Sequence, residues 1–359
     1  SQSQSQSPNI GEETPHLMDF QMSGKFRQPY PLGFRKPVRY PRHMERLTRE
    51  LHERARIEGL DLVGVATAGP ARTASALRRW LDAGMHSEMD YMARTFSIRS
   101  DPSLLLPNCK SVIAVAMSYR TSLPESGAFG EADERVWVSR YAWGRDYHRI
   151  VKKRLVRLGK WLAARRPGTA WRACVDTAPV LEREWAARAG LGWIGKNTLL
   201  LNRRLGSELF LGVVLTDLEL QPGAPAPDHC GKCTACLDAC PTGAFPEPRA
   251  LDARRCVGYL TVEHHSRIPD ELHAGVGAMI AGCDICQEVC PWTRRAPSDL
   301  HPEFAPAAHR FRPLLSDMEK LDEEQYREWR RGSALNRISY QQMRRNLCVA
   351  RKNLLGEEH

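Results

Sequence analysis

The sequence predicts an α+β protein in three parts: a layered α/β domain over residues 43–221, a cysteine-rich domain over 222–298 and a short helical region over 299–359. Three observations support this division. Helical and β-branched apolar segments alternate up to about residue 220, eight of the eleven cysteines lie from Cys230 to Cys290, and helical spacing follows Trp292. Residues 1–42 lack such periodicity, so we expect a disordered leader there.

Each element follows from the spacing of its apolar residues. Met44, Leu47, Leu51 and Ala55 recur at helical spacing, and Gly59 is placed to end that helix. The same reasoning predicts the other elements of the first domain: a strand at 62–66, a helix at 74–83, a buried strand at 111–117, a helix at 149–164, a helix from Pro179 to Ala189 and a buried strand at 209–215. The last region is expected to form one or two helical hairpins.

Composition narrows the class of protein. The chain has 359 residues, and 52 basic against 42 acidic side chains give a net charge of +10, which permits an anionic partner such as nucleic acid. The longest apolar run, residues 209–215, is far shorter than the roughly 20 residues of a membrane helix. The polar start lacks the apolar core of a secretory signal. We therefore expect a cytoplasmic protein without a membrane contact, in which spaced cysteines bind metal rather than form disulfides.

Two cysteine runs indicate iron–sulfur clusters. The first, Cys230-x2-Cys233-x2-Cys236-x3-Cys240-Pro241, matches the bacterial ferredoxin spacing at every position. The second, Cys283-x2-Cys286-x3-Cys290-Pro291, is one cysteine short, and Cys256 between the runs is the only nearby candidate for the missing ligand. In ferredoxins the fourth cysteine of a run binds the other cluster.

This exchange rule predicts two 4Fe–4S clusters with four thiolates each. One cluster is assigned Cys230, Cys233, Cys236 and Cys290, and the other Cys240, Cys256, Cys283 and Cys286. Zinc is the alternative, but zinc sites use separated cysteine pairs and have no need of the Cys-x3-Cys-Pro ending. Cys109, Cys174 and Cys348 stay outside this scheme and are expected to be small buried residues.

A glycine-rich segment imitates a nucleotide site without meeting its requirements. Gly190-x-Gly192-x-x-Gly195 follows a predicted helix, whereas the dinucleotide motif needs a strand before it and a helix after it. The same segment approaches a P-loop, but Asn197 replaces the required Ser or Thr. Neither nucleotide reading is retained.

Several segments together resemble the epoxyqueuosine reductase family. They are Val175–Arg183, Leu191–Thr198, Ser139–Ala142, Gly144–His148 and Cys283–Trp292, within a similarity that runs from about residue 44 to 350. The resemblance implies a cobalamin-dependent iron–sulfur enzyme that performs the last step of queuosine synthesis. Its substrate would be epoxyqueuosine at the wobble position of the tRNAs for Tyr, His, Asn and Asp. Cobalamin would bind in the first domain and both clusters in the ferredoxin-like domain, while the C-terminal helices help to grip the tRNA.

The resemblance also implies roles for individual residues. Asp176 matches the proton donor of the family, although an Asp before a helix is by spacing alone more often a cap. That role calls for a raised pKa of Asp176, which burial against the corrin ring would supply. The residues that would approach cobalamin are Arg99, Asp176, Gly195, Lys196, Asn197 and Asp284. For Arg99 and Lys196, a solvated surface charge is the alternative.

The partners follow from charge and from the resemblance. The segment from Arg140 to Arg166 carries ten basic residues and the single acid Asp146, which suits contacts with RNA phosphates. A solvated amphipathic helix is the alternative there. No flavin or nicotinamide site is visible, so the electron donor would be external, such as flavodoxin or a separate reductase. The family suggests a monomer.

Two other functions are compatible with clusters and basic charge. A reductive dehalogenase also pairs cobalamin with two ferredoxin-type clusters, but these proteins commonly carry a twin-arginine leader, and the pair Arg165-Arg166 is internal. A non-enzymatic ferredoxin-like carrier that binds nucleic acid would not need the long first domain or the segment around Asp176. A cobalamin absorbance would separate an enzyme from such a carrier.

Overall fold

The computed structural model describes residues 40–125 and 134–356. The strands are β1 (Leu62–Thr67), β2 (Ser111–Ser118), β3 (Trp137–Val138), β4 (Trp171–Cys174), β5 (Trp193–Ile194), β6 (Leu200–Leu201), β7 (Leu209–Thr216) and β8 (Met279–Ala281). The helices before the cysteine-rich part are α1 (Arg42–Ile57), α2 (Ala74–Asp82), α3 (Asp90–Arg94), α4 (Phe96–Ser100), α5 (Tyr147–Arg165) and α6 (Glu182–Arg188). The later helices are α7 (Ala235–Asp238), α8 (Val257–Val262), α9 (His273–Val276), α10 (Ile285–Glu288), α11 (Pro291–Arg294), α12 (Leu315–Lys320), α13 (Glu323–Trp329) and α14 (Tyr340–Leu355).

A four-stranded antiparallel sheet in the order β1-β2-β7-β4 lies between two helical layers. Every residue of β2 is buried, and its side chains alternate between the two faces. Ile113 and Met117 pack with α1 and α5 on one face, whereas Val112 and Ala116 pack with α6 on the other. An antiparallel sheet covered on both faces explains why this strand lacks a polar side, and it confirms the predicted α+β class.

The predicted elements of the first domain are found with small shifts, apart from one helix boundary. Pro179 does not begin α6, which starts at Glu182 after the cap residue Leu181. The chain turns first, because Asp176 has a left-handed φ of 49° and the Val180 N–H bonds to the carbonyl of Ala178. The four-residue strand β4 and the short helices α3 and α4 carried too little periodicity to be predicted from the sequence.

The core of the cysteine-rich part draws in a segment from the first domain. β3 pairs in parallel with β8, and Trp137 and Trp143 join one buried cluster with residues of α8 and α14. This core contains residues from both sides of the predicted boundary at residue 221. The domain limits given above stay predictions. The C-terminal region holds α12, α13 and α14, and capping boxes at Asp322 and Ser339 begin the last two.

Two predictions concern the ends of the chain and the membrane. The disordered leader predicted over residues 1–42 falls outside the described residues except for its last three positions, and α1 already begins at Arg42. Among residues 40–125 and 134–356, no helix has both the length and the apolar character needed to cross a bilayer.

Candidate active site and cysteine groups

Asp176 lies on the turn that follows β4, and two basic side chains bind it. Its Oδ2 atom accepts a hydrogen bond from Nε2 of His148 at 2.9 Å and another from Nη2 of Arg337 at 2.7 Å. The left-handed φ of 49° is a conformation that Asp adopts more readily than most residues. The carboxylate keeps 35% of its side-chain area exposed, so it remains accessible to a substrate.

His148 connects Asp176 to a second carboxylate. Asp146 caps the first turn of α5, and its Oδ1 atom accepts hydrogen bonds from both the backbone N–H and the Nδ1 atom of His148. Burial alone would lower the pKa of His148, but its bonds to Asp146 and Asp176 outweigh burial and raise this pKa to about 9. The imidazole is therefore cationic at neutral pH and donates from both nitrogens.

The ionisation of Asp176 corrects one expectation from the sequence. Burial alone would raise the pKa of Asp176, as expected, but the hydrogen bond from His148 and the charge of Arg337 outweigh it. The net pKa lies below the ordinary value, so Asp176 is ionised in this arrangement. These partners lie 28 and 161 residues away along the chain, and no local spacing indicated them.

Aromatic side chains lie between this carboxylate and the second cysteine run. Tyr147 stacks on Phe210 with ring centres 4.1 Å apart, and its edge contacts Tyr141 at 6.5 Å. Tyr141 packs over Gly282, where an added Cβ would lie 3.1 Å from the Tyr141 ring. Tyr147 also interacts with Asp176, so a chain of contacts leads from Asp176 through Tyr147 and Tyr141 to Gly282, which directly precedes Cys283.

Arg99 and Glu182 extend the site on the side of α4 and α6. Arg99 is buried and bonds to Thr95 Oγ1 at 2.9 Å, so the alternative of a solvated surface charge is wrong for it. Among the described residues, the Oε1 atom of Glu182 is buried without a hydrogen-bond partner. Burial, followed by the charge of Asp176, raises the pKa of Glu182 to about 8. At neutral pH this carboxyl group is therefore mostly protonated, and it can accept a hydrogen bond from a bound molecule or donate one to it.

The eight cysteines fall into two neighbouring groups. Burial, together with the nearby thiols of Cys290, Cys230 and Cys233, raises the pKa of the Cys236 thiol to about 11. Burial likewise raises the pKa of Cys283, with added effects from Asp284, Cys256 and Cys240. Cys286 lies among Cys283, Cys256, Cys236 and Cys240. These neighbours are compatible with the predicted exchange of Cys240 and Cys290 between the two runs, and the assignment of ligands to each cluster stays a prediction.

Within the described ranges, no three His, Cys, Asp or Glu side chains converge as a single metal ion would require. In a 4Fe–4S cluster each thiolate binds a different iron, so the sulfurs lie farther apart than around one zinc ion. Two 4Fe–4S clusters remain the prediction for these cysteines.

The loop after β5 holds the cysteine runs in place. Trp193 Nε1 donates to Sγ of Cys230 at 3.3 Å, Lys196 Nζ donates to the carbonyl of Cys233 at 2.8 Å, and Asn197 Nδ2 donates to that of Cys286 at 3.2 Å. Gly195 is also buried, against Leu201 and the Asn197 side chain. The loop was expected to approach cobalamin, but Gly195 and Asn197 are buried against the protein itself. Lys196 binds its carbonyl partner at the surface and is only partly buried, so the alternative of a solvated charge stays compatible with its position.

Asp284 also differs from its expected role. It has no exposed surface, and its carboxylate accepts hydrogen bonds from Trp137 Nε1, Ser139 Oγ and the Arg140 backbone. A side chain with no exposed atom cannot contact a cofactor in this conformation, so the expected contact with cobalamin is corrected. Asp284 instead joins the segment around β3 to the second cysteine run. No local signal distinguished this role from cofactor binding.

The basic segment is less available than its composition suggests. Arg140 is buried and pairs with Glu208 at 3.2 Å, while Arg154 pairs with Glu303 and Arg157 with Glu58. Lys153 and Lys160 are exposed on the outer face of α5. A surface cleft of about 540 Å³ runs along this helix, lined by Arg145, Ile150, Lys153, Arg154, Arg157, Pro302 and Glu303.

The double cysteine group beside a protonatable carboxyl site defines an iron–sulfur oxidoreductase. Residues 229–293 match a family described as a 4Fe-4S double cluster binding domain. Residues 99–177 match the family described as Epoxyqueuosine reductase QueG, DUF1730. The chain is 44% identical to the epoxyqueuosine reductase of Pseudomonas aeruginosa, with 86% of each chain covered. It is 41% identical to that of Escherichia coli K12, over 84% of this chain and 79% of the relative. The chain belongs to the epoxyqueuosine reductase family.

Solved structures agree with this membership. An epoxyqueuosine reductase crystallised with an epoxyqueuosine-modified tRNA-Tyr stem loop superimposes with a TM-score of 0.80 at 31% identity, covering 87% of this chain and 82% of the other. The Bacillus subtilis epoxyqueuosine reductase matches with a TM-score of 0.79 at 30% identity over the same shares. In that structure the loop with the catalytic aspartate is swung out of the active site.

Proposed function

We propose that this protein reduces epoxyqueuosine to queuosine at the wobble position of the tRNAs for Tyr, His, Asn and Asp. The observation that carries the proposal is family membership at 44% identity, together with an accessible Asp176 beside the second cysteine group. The stem loop bound to a relative supports an RNA substrate. An RNA substrate in turn supports a cytoplasmic location, and we expect a monomer from the family resemblance.

The proposed reaction determines how many electrons and protons the protein must supply. Conversion of an epoxide to an alkene takes up two electrons and two protons and releases the oxygen as water. When bound, cobalamin supplies the low-valent cobalt that passes electrons to the epoxide carbon. The departing oxygen then needs a proton at each stage, and a positioned carboxyl group is suited to give it.

The two cysteine groups have different exposures, which suggests a direction for electron flow. Cys233 is exposed, so the cluster held by its group lies near the surface, where an external donor such as flavodoxin or a reductase can reach it. The group with Cys283 lies behind Tyr141, next to the Asp176 site. When loaded, the group with Cys233 would hold the cluster within reach of the donor, and the group with Cys283 would hold the cluster nearer to the Asp176 site.

Cobalamin fits beside Asp176 better than beside the loop after β5. The unpartnered Oε1 atom of Glu182 can accept a hydrogen bond from one of the amide groups that surround the corrin ring. The charge of Arg99 lies close to both Glu182 and Asp176. Arg99 and Glu182 would thus hold the cofactor, while Asp176 faces the substrate.

Asp176 and His148 form the proton path in this proposal. Because Asp176 is ionised at rest, it first takes a proton from the cationic His148 through the 2.9 Å hydrogen bond from Nε2 to Oδ2, and it then gives this proton to the epoxide oxygen. Asp146 holds the other nitrogen of the ring and so fixes its orientation. The swung-out aspartate loop of the Bacillus subtilis relative supports a mobile position for this carboxyl group.

Nucleoside analysis of tRNA tests the proposal. The protein, loaded with clusters and cobalamin and chemically reduced, is incubated with tRNA that carries epoxyqueuosine. We expect epoxyqueuosine to be replaced by queuosine. Unchanged epoxyqueuosine would contradict the proposed function, and a protein that binds RNA and clusters but shows no cobalamin absorbance would be the electron carrier. Reduction of an aryl halide in place of the epoxide would favour the dehalogenase class.

A further inference from the structure

The contact between Arg337 and Asp176 brings the C-terminal region into the active site. Arg337 ends a short 3₁₀ helix, Ala334–Arg337, between α13 and α14. Its Nη2 atom binds Asp176 and its Nη1 atom binds Glu263, so one guanidinium joins two carboxylates. The side chain is 37% exposed. An Arg has five N–H donors, and these two contacts use only part of them.

This ion pair opposes the role of Asp176 as an acid. A proton donor must be protonated when it acts, yet Arg337 stabilises the ionised carboxylate. His148 stabilises the same form, but it carries a proton that it can return, whereas an Arg side chain does not give up its proton. Loss of the Arg337 contact during the reaction would therefore favour proton donation by Asp176.

The proposed substrate carries phosphodiester groups, which can replace Asp176 as the partner of Arg337. Every nucleotide of the RNA has a phosphodiester, and Arg binds phosphate oxygens with the same planar fork that binds carboxylates. A partly exposed Arg at the edge of the site can meet the phosphates that flank the reacting nucleotide. A pair that is about one-third exposed on both sides costs little to separate.

We propose that Arg337 exchanges Asp176 for a phosphodiester of the bound RNA, so that substrate binding frees the carboxyl group for the reaction. This inference rests on the proposed function. It makes Arg337 a positioning residue that acts through Asp176. The charged and titratable groups around Asp176 that set its ionisation after the exchange are His148 and Tyr147 of α5, Tyr141, Glu182, Arg99, Tyr91 and Glu263.

Binding of a queuosine-containing RNA stem loop, which cannot react, tests the exchange without chemistry. Arg337→Gln should weaken binding roughly five- to tenfold and lower the log–log salt slope by about 0.7–0.9, the value for one phosphate contact. Asp176→Asn should tighten binding up to about fivefold, because Arg337 no longer has to leave a carboxylate. The double variant should bind like Arg337→Gln alone. Three results would overturn the proposal: a salt slope of Arg337→Gln equal to that of wild type, no binding of the stem loop, or tighter binding by Asp176→Asn that persists in the double variant.

Turnover separates this role from a structural one. At RNA concentrations below saturation, Arg337→Gln should slow conversion of the epoxyqueuosine stem loop, because a phosphate contact is lost and binding weakens. Conversion of the free nucleoside, which has no flanking phosphate to draw Arg337 away, should not slow and should become faster, because Asp176 is already released. Arg337→Lys should restore part of the stem-loop rate. Equal slowing of both substrates would contradict the exchange. Arg267→Gln, on an exposed arginine that pairs with Asp270 and lies outside the C-terminal helices, serves as the control and should change neither. If the wild-type protein binds the stem loop but leaves the epoxide intact, the proposed function fails while the binding cycle still decides the exchange.

Discussion

The Asp176 site and the cysteine groups are built in different ways. The cysteine groups come from two short runs and the separate Cys256, all between Cys230 and Cys290. Neighbouring segments hold them through hydrogen bonds such as the one from Trp193 of β5. The Asp176 site instead joins α5, the turn after β4 and the C-terminal region through charged contacts. The first arrangement suits fixed ligands for electron transfer, whereas the second suits a carboxyl group whose ionisation can change.

The largest effect is expected at the ligand that completes the shorter run. Cys256→Ala should leave the second cluster without one thiolate, so the protein should hold about half of the wild-type iron and lose its activity. Iron analysis and the spectrum of the reduced protein measure this. Cys348→Ala is the control, because Cys348 lies outside both groups. The sequence predicted a buried residue there, but Cys348 is exposed on the surface of α14. A Cys256→Ala protein with full iron and full activity would contradict the ligand assignment.

The outer face of α5 offers the next test. Replacing Lys153 and Lys160 together with Gln should weaken binding of the tRNA and lower the log–log salt slope by roughly one to two units. Arg157 is left unchanged, because it already pairs with Glu58. Arg267→Gln, on an exposed arginine that pairs with Asp270, is the control. An equal salt slope of tRNA binding in the wild-type and double-variant proteins would show that the RNA binds to another surface.

These first two predictions show what the sequence could and could not supply. The cysteine runs could be predicted from the sequence because cluster ligation depends on the spacing of cysteines within a loop. Strand β2 could be predicted for a similar reason, because the alternation of side chains along a strand depends only on neighbouring residues. Other features depend on contacts between segments that lie far apart in the chain: the partners of Asp176, the ion pair that buries Arg140, and the hydrogen bond from Arg140 to Asp284. Composition alone therefore made Arg140 resemble an exposed charge.

A smaller effect is expected from the pH dependence of stability. Because folding raises the pKa of His148 from about 6.5 to about 9, its stabilising contribution is complete below pH 6.5 and is lost as the pH rises through 9. The shift corresponds to at most about 3 kcal/mol, and partial exposure should reduce it to about 1–2 kcal/mol. His148→Asn should therefore lose less thermal stability than wild type between pH 6.5 and 9.5.

The control for that measurement is His309→Asn, because burial lowers the pKa of His309 instead of raising it. This variant should lose as much stability as the wild-type protein over the same pH range. An identical loss in the His148→Asn and wild-type proteins would show that the two carboxylates do not hold the imidazole in its cationic form.

The smallest effect concerns the sulfur that Trp193 contacts. Trp193→Phe removes the N–H donor to Cys230 Sγ but keeps an aromatic ring. Such a donor stabilises the more negative, reduced cluster, so its loss should lower the reduction potential of the first cluster by about 40 mV, the equivalent of about 1 kcal/mol. Redox titration followed by electron paramagnetic resonance measures this. Trp292→Phe, whose ring packs edge-on against Trp193, should leave the potential within a few millivolts.

The most direct test of the division between proton and electron delivery is a single turnover of epoxyqueuosine tRNA with pre-reduced protein. Asp176→Asn keeps the size of the side chain but removes the transferable proton. The account predicts that both clusters and cobalamin stay bound and reducible, while queuosine forms about 10²–10⁴-fold more slowly than in wild type. A rate within a few-fold of wild type, or loss of the bound cobalamin, would contradict the role of Asp176 as the proton donor.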